Sequence, residues 1–325
     1  MVAKPRRYCI AKPCTRHRGI AQNIVNYMAD SHQNFTPPLA CELSADRAQR
    51  RLDLDLSDGM RTSVYYHAAT RAQTPAADIA VVYCHGIQSH PGWFCASADY
   101  LAGAGYPVYQ ITRRGSGDVP MARGDTPSAR QLLDDLDAAC NMAISHSNAG
   151  RLALVGVSWG GKLLAAYLAS RRPANIASLT LVAPGIVPLV DVPAATKLKI
   201  AAARLFQPAR LFDIPLNDVE LFTANPPMQQ YLRSDPCRLH QATARLLFAS
   251  KQLDIKIALC PRGAISAPTT LILAGEDQII DNAATTKVVN RLTNSHATVI
   301  TLPGRHTLEF EPQPQTYFAA LLTAV

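Results

Sequence analysis

Gly156-Val157-Ser158-Trp159-Gly160 sets a serine between glycines two positions to either side. A serine hydroxyl is inert at neutral pH unless a base takes its proton, and the base needs an acid to fix its tautomer and stabilise its charge. Both partners lie downstream at comparable places. Asp277 ends Gly275-Glu276-Asp277, directly after the apolar run Thr269–Ala274, and His306 ends Pro303-Gly304-Arg305-His306, directly after Thr298–Leu302. The order serine, acid, histidine, each just past an apolar run, suits a nucleophilic triad gathered at one edge of a parallel sheet. A tetrahedral intermediate also needs two main-chain N–H groups aimed at its oxyanion. Trp159, directly after the serine, supplies one, and Ile87 in His85-Gly86-Ile87-Gln88 is placed for the other. His85 is read as structural.

Competing residues fit less well. Glu276 is the second-ranked acid; His296 precedes the last apolar run instead of following it, and His67, His90, His146 and His240 have no strand-end position. Ser116 also sits beside glycines in Arg113-Arg114-Gly115-Ser116-Gly117, but Arg114 stands two residues before it, so this is no second elbow.

The elements that must hold these residues alternate. Arg51–Leu56 and Arg61–His67 flank Ser57-Asp58-Gly59 as a hairpin. Ile79–Cys84, Pro107–Thr112, Leu152–Val155, Ser178–Ala183, Thr269–Ala274 and Thr298–Leu302 read as strands. Helices are expected near Trp93–Ala102, from Thr126-Pro127 onward, from Trp159 to Leu168, over Asn282–Leu292 and around Thr316–Leu322. This is an α/β class pattern with a mostly parallel sheet. Leu152–Leu168 carries one charge, Lys162, but its glycines, serine and central lysine speak against a membrane span. From Ile186 to Ile265 the alternation stops. That stretch has several prolines, amphipathic pieces at Ala194–Leu205 and Gln241–Leu253, and no strong strand candidate. It is far too long for a loop and is expected to be a helical cap over residues 186–265, inserted in a core of residues 41–185 and 266–325.

Charge is unevenly spread. Residues 1–29 hold six Lys or Arg and no acid, and residues 186–265 hold ten basic against six acidic side chains. The first 40 residues are expected to form a poorly ordered basic arm; without a nucleic-acid-binding fold beside it, no nucleic-acid partner is inferred. The arm lacks the apolar stretch of a secretory signal. Eight scattered cysteines without a C-x-x-C spacing suit a reducing, cytoplasmic setting. Cys9, Cys14 and His17 make at best a weak metal site and are discounted, so no metal is expected.

From His85 onward the chain resembles the α/β-hydrolases of the monoacylglycerol lipase, lysophospholipase and serine aminopeptidase group. The likeness rests on His85-Gly86, Arg113–Gly117, Gly156–Gly161, Gly275-Glu276-Asp277, and Gly304-Arg305-His306 with Glu309. It implies acyl-transfer chemistry on a small ester, an α/β-hydrolase fold with an inserted cap, and no cofactor. Two positions depart from the group. Thr112 stands where an aspartate is usual, which implies local rewiring of that loop, and Trp159 stands where methionine is common in the lipases. Ser-Trp-Gly also resembles the elbow of proline aminopeptidases, so a peptidase and an acyltransferase remain as alternatives. The cap holds a single glutamate, Glu220, and a net positive charge, which favours esters over substrates bearing an ammonium. Val187, Leu189, Val190, Leu198, Leu205, Phe206, Leu211 and Phe212 are candidates to roof an acyl pocket, and the basic cap leaves peripheral membrane contact open.

Overall fold

A computed structural model of the chain describes residues 50–70, 78–119 and 123–325. The basic arm and the Cys9, Cys14 and His17 group lie outside the described residues.

The hairpin forms as expected: β1 (Arg51–Asp55) and β2 (Arg61–His67) pair antiparallel. They are followed by β3 (Ile79–Cys84), β4 (Val108–Ile111), β5 (Arg151–Val157), β6 (Ile176–Val182), β9 (Thr269–Ala274) and β10 (Thr298–Leu302) in one eight-stranded sheet. The order is β1-β2-β4-β3-β5-β6-β9-β10. β2 meets β4 antiparallel, and every pair from β4 to β10 is parallel. β3, β4 and β5 are buried along nearly their whole length, as apolar runs covered on both faces must be.

Helices cover both faces. α1 (Cys95–Gly103) follows a short 3₁₀ turn at Pro91–Phe94. α2 (Ala129–Ser147) starts where Ser128 accepts a hydrogen bond from the Gln131 N–H and ends at Asn148 in the left-handed region. Its Leu132, Leu133, Leu136, Cys140 and Ala143 face inward. α3 (Trp159–Arg171) is buried from Trp159 to Ala169. Such a helix accommodates Lys162 because its ammonium meets Asp254 at 2.8 Å and donates to Ser250 Oγ at 3.5 Å.

The order turns over at β3. From β3 the chain moves outward to β4, then returns to place β5 on the other side of β3, with Cys84 opposite Gly156 in register. The crevice at such a switch point, beyond the C-terminal strand ends, is where open α/β sheets hold their ligands.

Residues 186–265 contain α4 (Ala194–Phe206), α5 (Pro226–Ser234) and α6 (Ala244–Leu259). They also contain a two-stranded antiparallel ribbon, β7 (Leu211–Asp213) with β8 (Gln241–Thr243), where the sequence suggested helix alone. The helix expected from Gln241 begins at Ala244, because Thr243 accepts a hydrogen bond from the Leu246 N–H and caps it. Ile200, Ala203, Phe212 and Ala244 form a small core of their own, with Val192 and Leu247 against it. After this segment the chain returns through β9, α7 (Asn282–Leu292) and β10 to α8 (Gln315–Ala324).

Cys84, Cys95, Cys140 and Cys260 are free thiols, Cys84 and Cys140 among them buried. Cys237 is disulfide-bonded.

Candidate active site

Ser158 sits between β5 and α3 with φ 53° and ψ −122°, a conformation that ordinary residues avoid. The turn is held from several sides. The Ser158 N–H donates to the Val182 carbonyl at 2.9 Å, and the Ser158 carbonyl accepts from Gly161 at 2.9 Å and Gly185 at 2.8 Å. The glycines on either side are there for space. A Cβ on Gly156 would stand 2.8 Å from the Gly160 carbonyl oxygen, and one on Gly160 would stand 2.6 Å from that of His85. Strand and helix approach too closely for any side chain.

The serine Oγ lies 2.9 Å from His306 Nε2, and His306 Nδ1 lies 2.8 Å from Asp277 Oδ2. His306 and Asp277 expose 2% and 0% of their side chains, so water does not compete for this contact. The other carboxylate oxygen accepts from the N–H groups of Ile279 (2.8 Å) and Ile280 (3.2 Å), which fixes the carboxylate plane. Three loops from three strand ends thus converge on one chain of hydrogen bonds. Glu276 and His296 are both exposed. His67 contacts Asp99 at 2.7 Å and His90 contacts Asp235 at 2.9 Å, each away from the serine. His146 contacts Tyr109 at 2.8 Å.

The loop after β3 closes over the serine. Gly86 approaches it so nearly that a Cβ there would lie 3.3 Å from Ser158 Cβ. His85 organises the loop. The Arg113 main-chain N–H donates to His85 Nε2 at 3.1 Å, which leaves the ring proton on Nδ1, and Nδ1 donates to the Gly86 carbonyl at 2.8 Å. That carbonyl belongs to the same peptide plane as the Ile87 N–H, so the ring sets the plane's orientation. Burial, and after it the Arg113 charge, hold His85 well below the usual imidazole range, and the ring stays neutral.

Arg113 is the feature the sequence did not single out. It is 7% exposed, and its guanidinium lies 4.9 Å from the centre of the Trp159 ring. Nη2 donates to the Ile87 carbonyl at 2.8 Å, while Nε has no hydrogen-bond partner among the described residues. Burial alone pulls its pKa down to about 10, so it remains a cation at neutral pH. Its neighbour Arg114 takes the carboxylates instead, with Asp58 at 2.9 Å and Asp135 at 2.5 Å. The indole of Trp159 donates through Nε1 to Ser250 Oγ on α6 at 2.9 Å. Arg113 therefore touches the two residues expected to form an oxyanion hole, one through its carbonyl and the other through its ring.

Thr112 is buried and its hydroxyl accepts from Ser63 Oγ at 3.0 Å, while Asp118 accepts from Tyr65 at 2.7 Å and Ser63 at 3.4 Å. Residues 186–265 meet the loop after β3 through several polar ties, among them the Leu239 N–H donating to the Gln88 carbonyl at 2.9 Å. His90 Nε2 and Trp93 Nε1 both reach Asp235 Oδ2, at 2.9 and 2.7 Å, and the Arg238 guanidinium reaches Gln88 Oε1 at 3.1 Å.

A recess of about 300 Å³, open mouth included, lies at the serine. Its walls include Ile87, Trp93, Phe94, Val157, Leu216, Phe222, Ser158 and His306. Leu216 and Phe222 are the side chains from 186–265 that face it, in place of the eight residues expected to form a roof. Of those eight, Leu198, Leu205 and Phe206 point to solvent and Phe212 packs into the segment's own core. Among the described residues no cluster of His, Cys, Asp and Glu is suited to hold a metal ion, and no helix is long and apolar enough to cross a membrane.

The model of the serine aminopeptidase, S33, family matches residues 75–313. Phospholipase YtpA of Bacillus subtilis is 22% identical over 252 residues, which cover 77% of this chain and 95% of that protein. The monoacylglycerol lipase of Mycolicibacterium smegmatis is 24% identical over 247 residues, covering 72% and 82%. Among solved structures, a soluble variant of the Saccharomyces cerevisiae monoglyceride lipase superposes with a TM-score of 0.72 at 18% identity, over 90% of this chain and 95% of that one. The monoacylglycerol lipase of Paleococcus ferrophilus gives 0.68 at 20% identity, over 81% and 98%. With a sheet order, helix placement and family match that agree over most of its length, the chain belongs to the serine aminopeptidase (S33) family and has the α/β-hydrolase fold.

Proposed function

We propose that the protein is a serine hydrolase of carboxylic esters working through an acyl-enzyme. The observation that carries this reading is the unbroken contact from Ser158 Oγ to His306 Nε2 and from His306 Nδ1 to Asp277, at 2.9 and 2.8 Å. In this reading His306 takes the Ser158 proton as Oγ attacks the ester carbonyl, and Asp277 keeps the ring proton on Nδ1 and stabilises the imidazolium. His306 then delivers the proton to the departing alcohol. Water, activated by the same ring, releases the acid. The Ile87 and Trp159 N–H groups hold the oxyanion, and residues 186–265 act as the cap of the acyl site.

Ester substrates are favoured over peptides with a free ammonium because the recess walls, lined largely by apolar side chains, contain no carboxylate among the described residues. The relatives named as a phospholipase and a monoacylglycerol lipase point the same way. The test is a panel of aryl esters and monoacylglycerols of graded acyl length beside a prolyl arylamide, run with the protein and with Ser158→Ala. Ester turnover that Ser158→Ala abolishes supports the assignment. Prolyl release without ester cleavage, or undiminished ester turnover in the variant, contradicts it.

A further inference from the structure

A second cavity lies beside the loop after β3 and shares no lining residue with the recess at the serine. It encloses about 420 Å³, open mouth included, against about 300 Å³ for the recess. Leu56, Cys84, Ile111, Leu132, Leu136 and Leu163 make its walls apolar. Every lining residue is buried except Asp135, so the way in passes that carboxylate. Most polar groups around the cavity are satisfied. Thr62 donates to the Thr112 carbonyl at 2.6 Å, both ring nitrogens of His85 are bonded, and Arg114 is paired with Asp58 and Asp135. Arg113 lines the cavity as well, and its Nε has no hydrogen-bond partner among the described residues. No carboxylate offsets its burial either. A cation held this way keeps a strong attraction for any anion that reaches it.

We propose that this cavity binds a short straight-chain monocarboxylate, whose oxygens take Arg113 and whose alkyl chain lies against Leu56, Leu132, Leu136 and Leu163. Nε and Nη2 form one edge of a guanidinium, the edge that receives a carboxylate in a fork. Here Nη2 donates to the Ile87 carbonyl, so a carboxylate at Nε competes with that carbonyl and neutralises the charge that holds it. The walls reward an alkyl chain, which an inorganic anion lacks. Asp58 and Asp135 outweigh Arg114 by one charge at the entrance, which disfavours dianions. Binding stands on the cavity alone. That the acid is the reaction's own product rests on the ester-hydrolase reading, and there it makes the site a brake, because a loosened Ile87 peptide holds an oxyanion less well.

Ligand-detected NMR on the full chain carrying Ser158→Ala, in which no acyl-enzyme forms, gives dissociation constants for acetate, propionate and butyrate beside chloride, phosphate and butanol. Each added methylene should tighten binding about fourfold, and chloride, phosphate and butanol should all bind more weakly than butyrate. Adding Arg113→Met should weaken butyrate ~10- to 100-fold, the loss of a charged hydrogen bond. Adding Leu136→Phe, which fills the cavity and leaves Arg113 in place, should weaken it about tenfold or more. With Ser158 present, butyrate should lower kcat on a soluble ester several-fold at unchanged KM, while Leu136→Phe should keep the basal rate and ignore butyrate. Butyrate that binds no tighter than chloride, that binds the Arg113→Met protein as well as its parent, or that only raises KM, as an acid in the serine recess would, overturns the proposal. The chain-length series decides the matter even where Leu136→Phe fails to fold. A protein without ester turnover that still binds butyrate through Arg113 keeps the site and discards the ester reading.

Discussion

Arg113→Met separates two things that a buried arginine can do, hold a fold together or hold a catalytic group in place. The side chain has one short charged hydrogen bond, to the Ile87 carbonyl at 2.8 Å, a long one to the Arg114 carbonyl at 3.4 Å, and one ring contact, to Trp159, with no carboxylate raising its pKa against burial. For stability these terms oppose each other. Losing the bond costs about 1.5–3 kcal/mol, while removing an uncompensated buried cation returns a comparable amount. Replacement by a methionine of similar length should thus leave the melting temperature nearly unchanged or slightly raised. For catalysis nothing offsets the loss. Removing one oxyanion donor outright costs about 2.7–4 kcal/mol of transition-state stabilisation. Here the Ile87 peptide stays partly aimed, because His85 still holds the Gly86 carbonyl through a contact to the Arg113 main chain that the substitution leaves intact. About half that cost is expected, or roughly a 10- to 30-fold fall in kcat. KM should hold within about twofold, since a ground-state carbonyl gains little from the hole. The assay is steady-state turnover of a soluble aryl ester, with binding of a boronic-acid mimic of the tetrahedral state and a thermal melt on the same samples. Unchanged kcat, or a kcat that falls only as far as the melting temperature does, would refute the reasoning.

Gly160→Ala forces a methyl against the Cys84 and His85 carbonyl oxygens, so it should either fail to fold or move the loop after β3, with activity down by ~100-fold or more in any soluble fraction. Activity within threefold of wild type at full solubility would contradict the tight packing of β5, α3 and the loop after β3. Glu309 accepts from the Ser97 N–H at 3.0 Å and the Ser97 hydroxyl at 2.5 Å, and burial pushes its carboxyl up to about 8. With an ordinary value near 4.5 in the unfolded chain, the folded protein binds more protons between those limits. The stability contributed by neutral Glu309 is therefore full below about pH 4.5 and is lost as the pH rises through about 8. Glu309→Gln should remove that decline, and melting curves at pH 5 and pH 8 for both proteins would show it; parallel pH profiles would count against the buried acid.

The sheet was legible in the sequence because strands covered on both faces must be continuously apolar, and the residues at their ends could be named before any geometry. Asp277 and His306 stood out by that criterion, and they do meet Ser158 in a hydrogen-bonded line. What stayed hidden had no periodicity to betray it. β7 and β8 are three residues each, too short for alternation to register, and Thr243 looked like helix interior when it is the cap. Leu216 and Phe222 face the recess from irregular stretches, while the periodic apolar face of α4, the natural candidate for a roof, points to solvent. Arg113 and Arg114 are adjacent identical residues in one turn, and nothing in composition says that the second finds two carboxylates and the first none. A tie such as Arg238 to Gln88 joins residues far apart in the chain, which no local pattern encodes.

The central claim is that Ser158, activated by His306, is the atom that becomes acylated. Intact-mass and peptide analysis after reaction with an aryl fluorophosphonate tests it most directly, in wild type, Ser158→Ala and His306→Gln. The account predicts one adduct per chain in wild type, on the peptide carrying Ser158, none in Ser158→Ala, and labelling slowed by at least ~1000-fold in His306→Gln. A wild-type adduct on another residue, or labelling at the wild-type rate without His306, would contradict it.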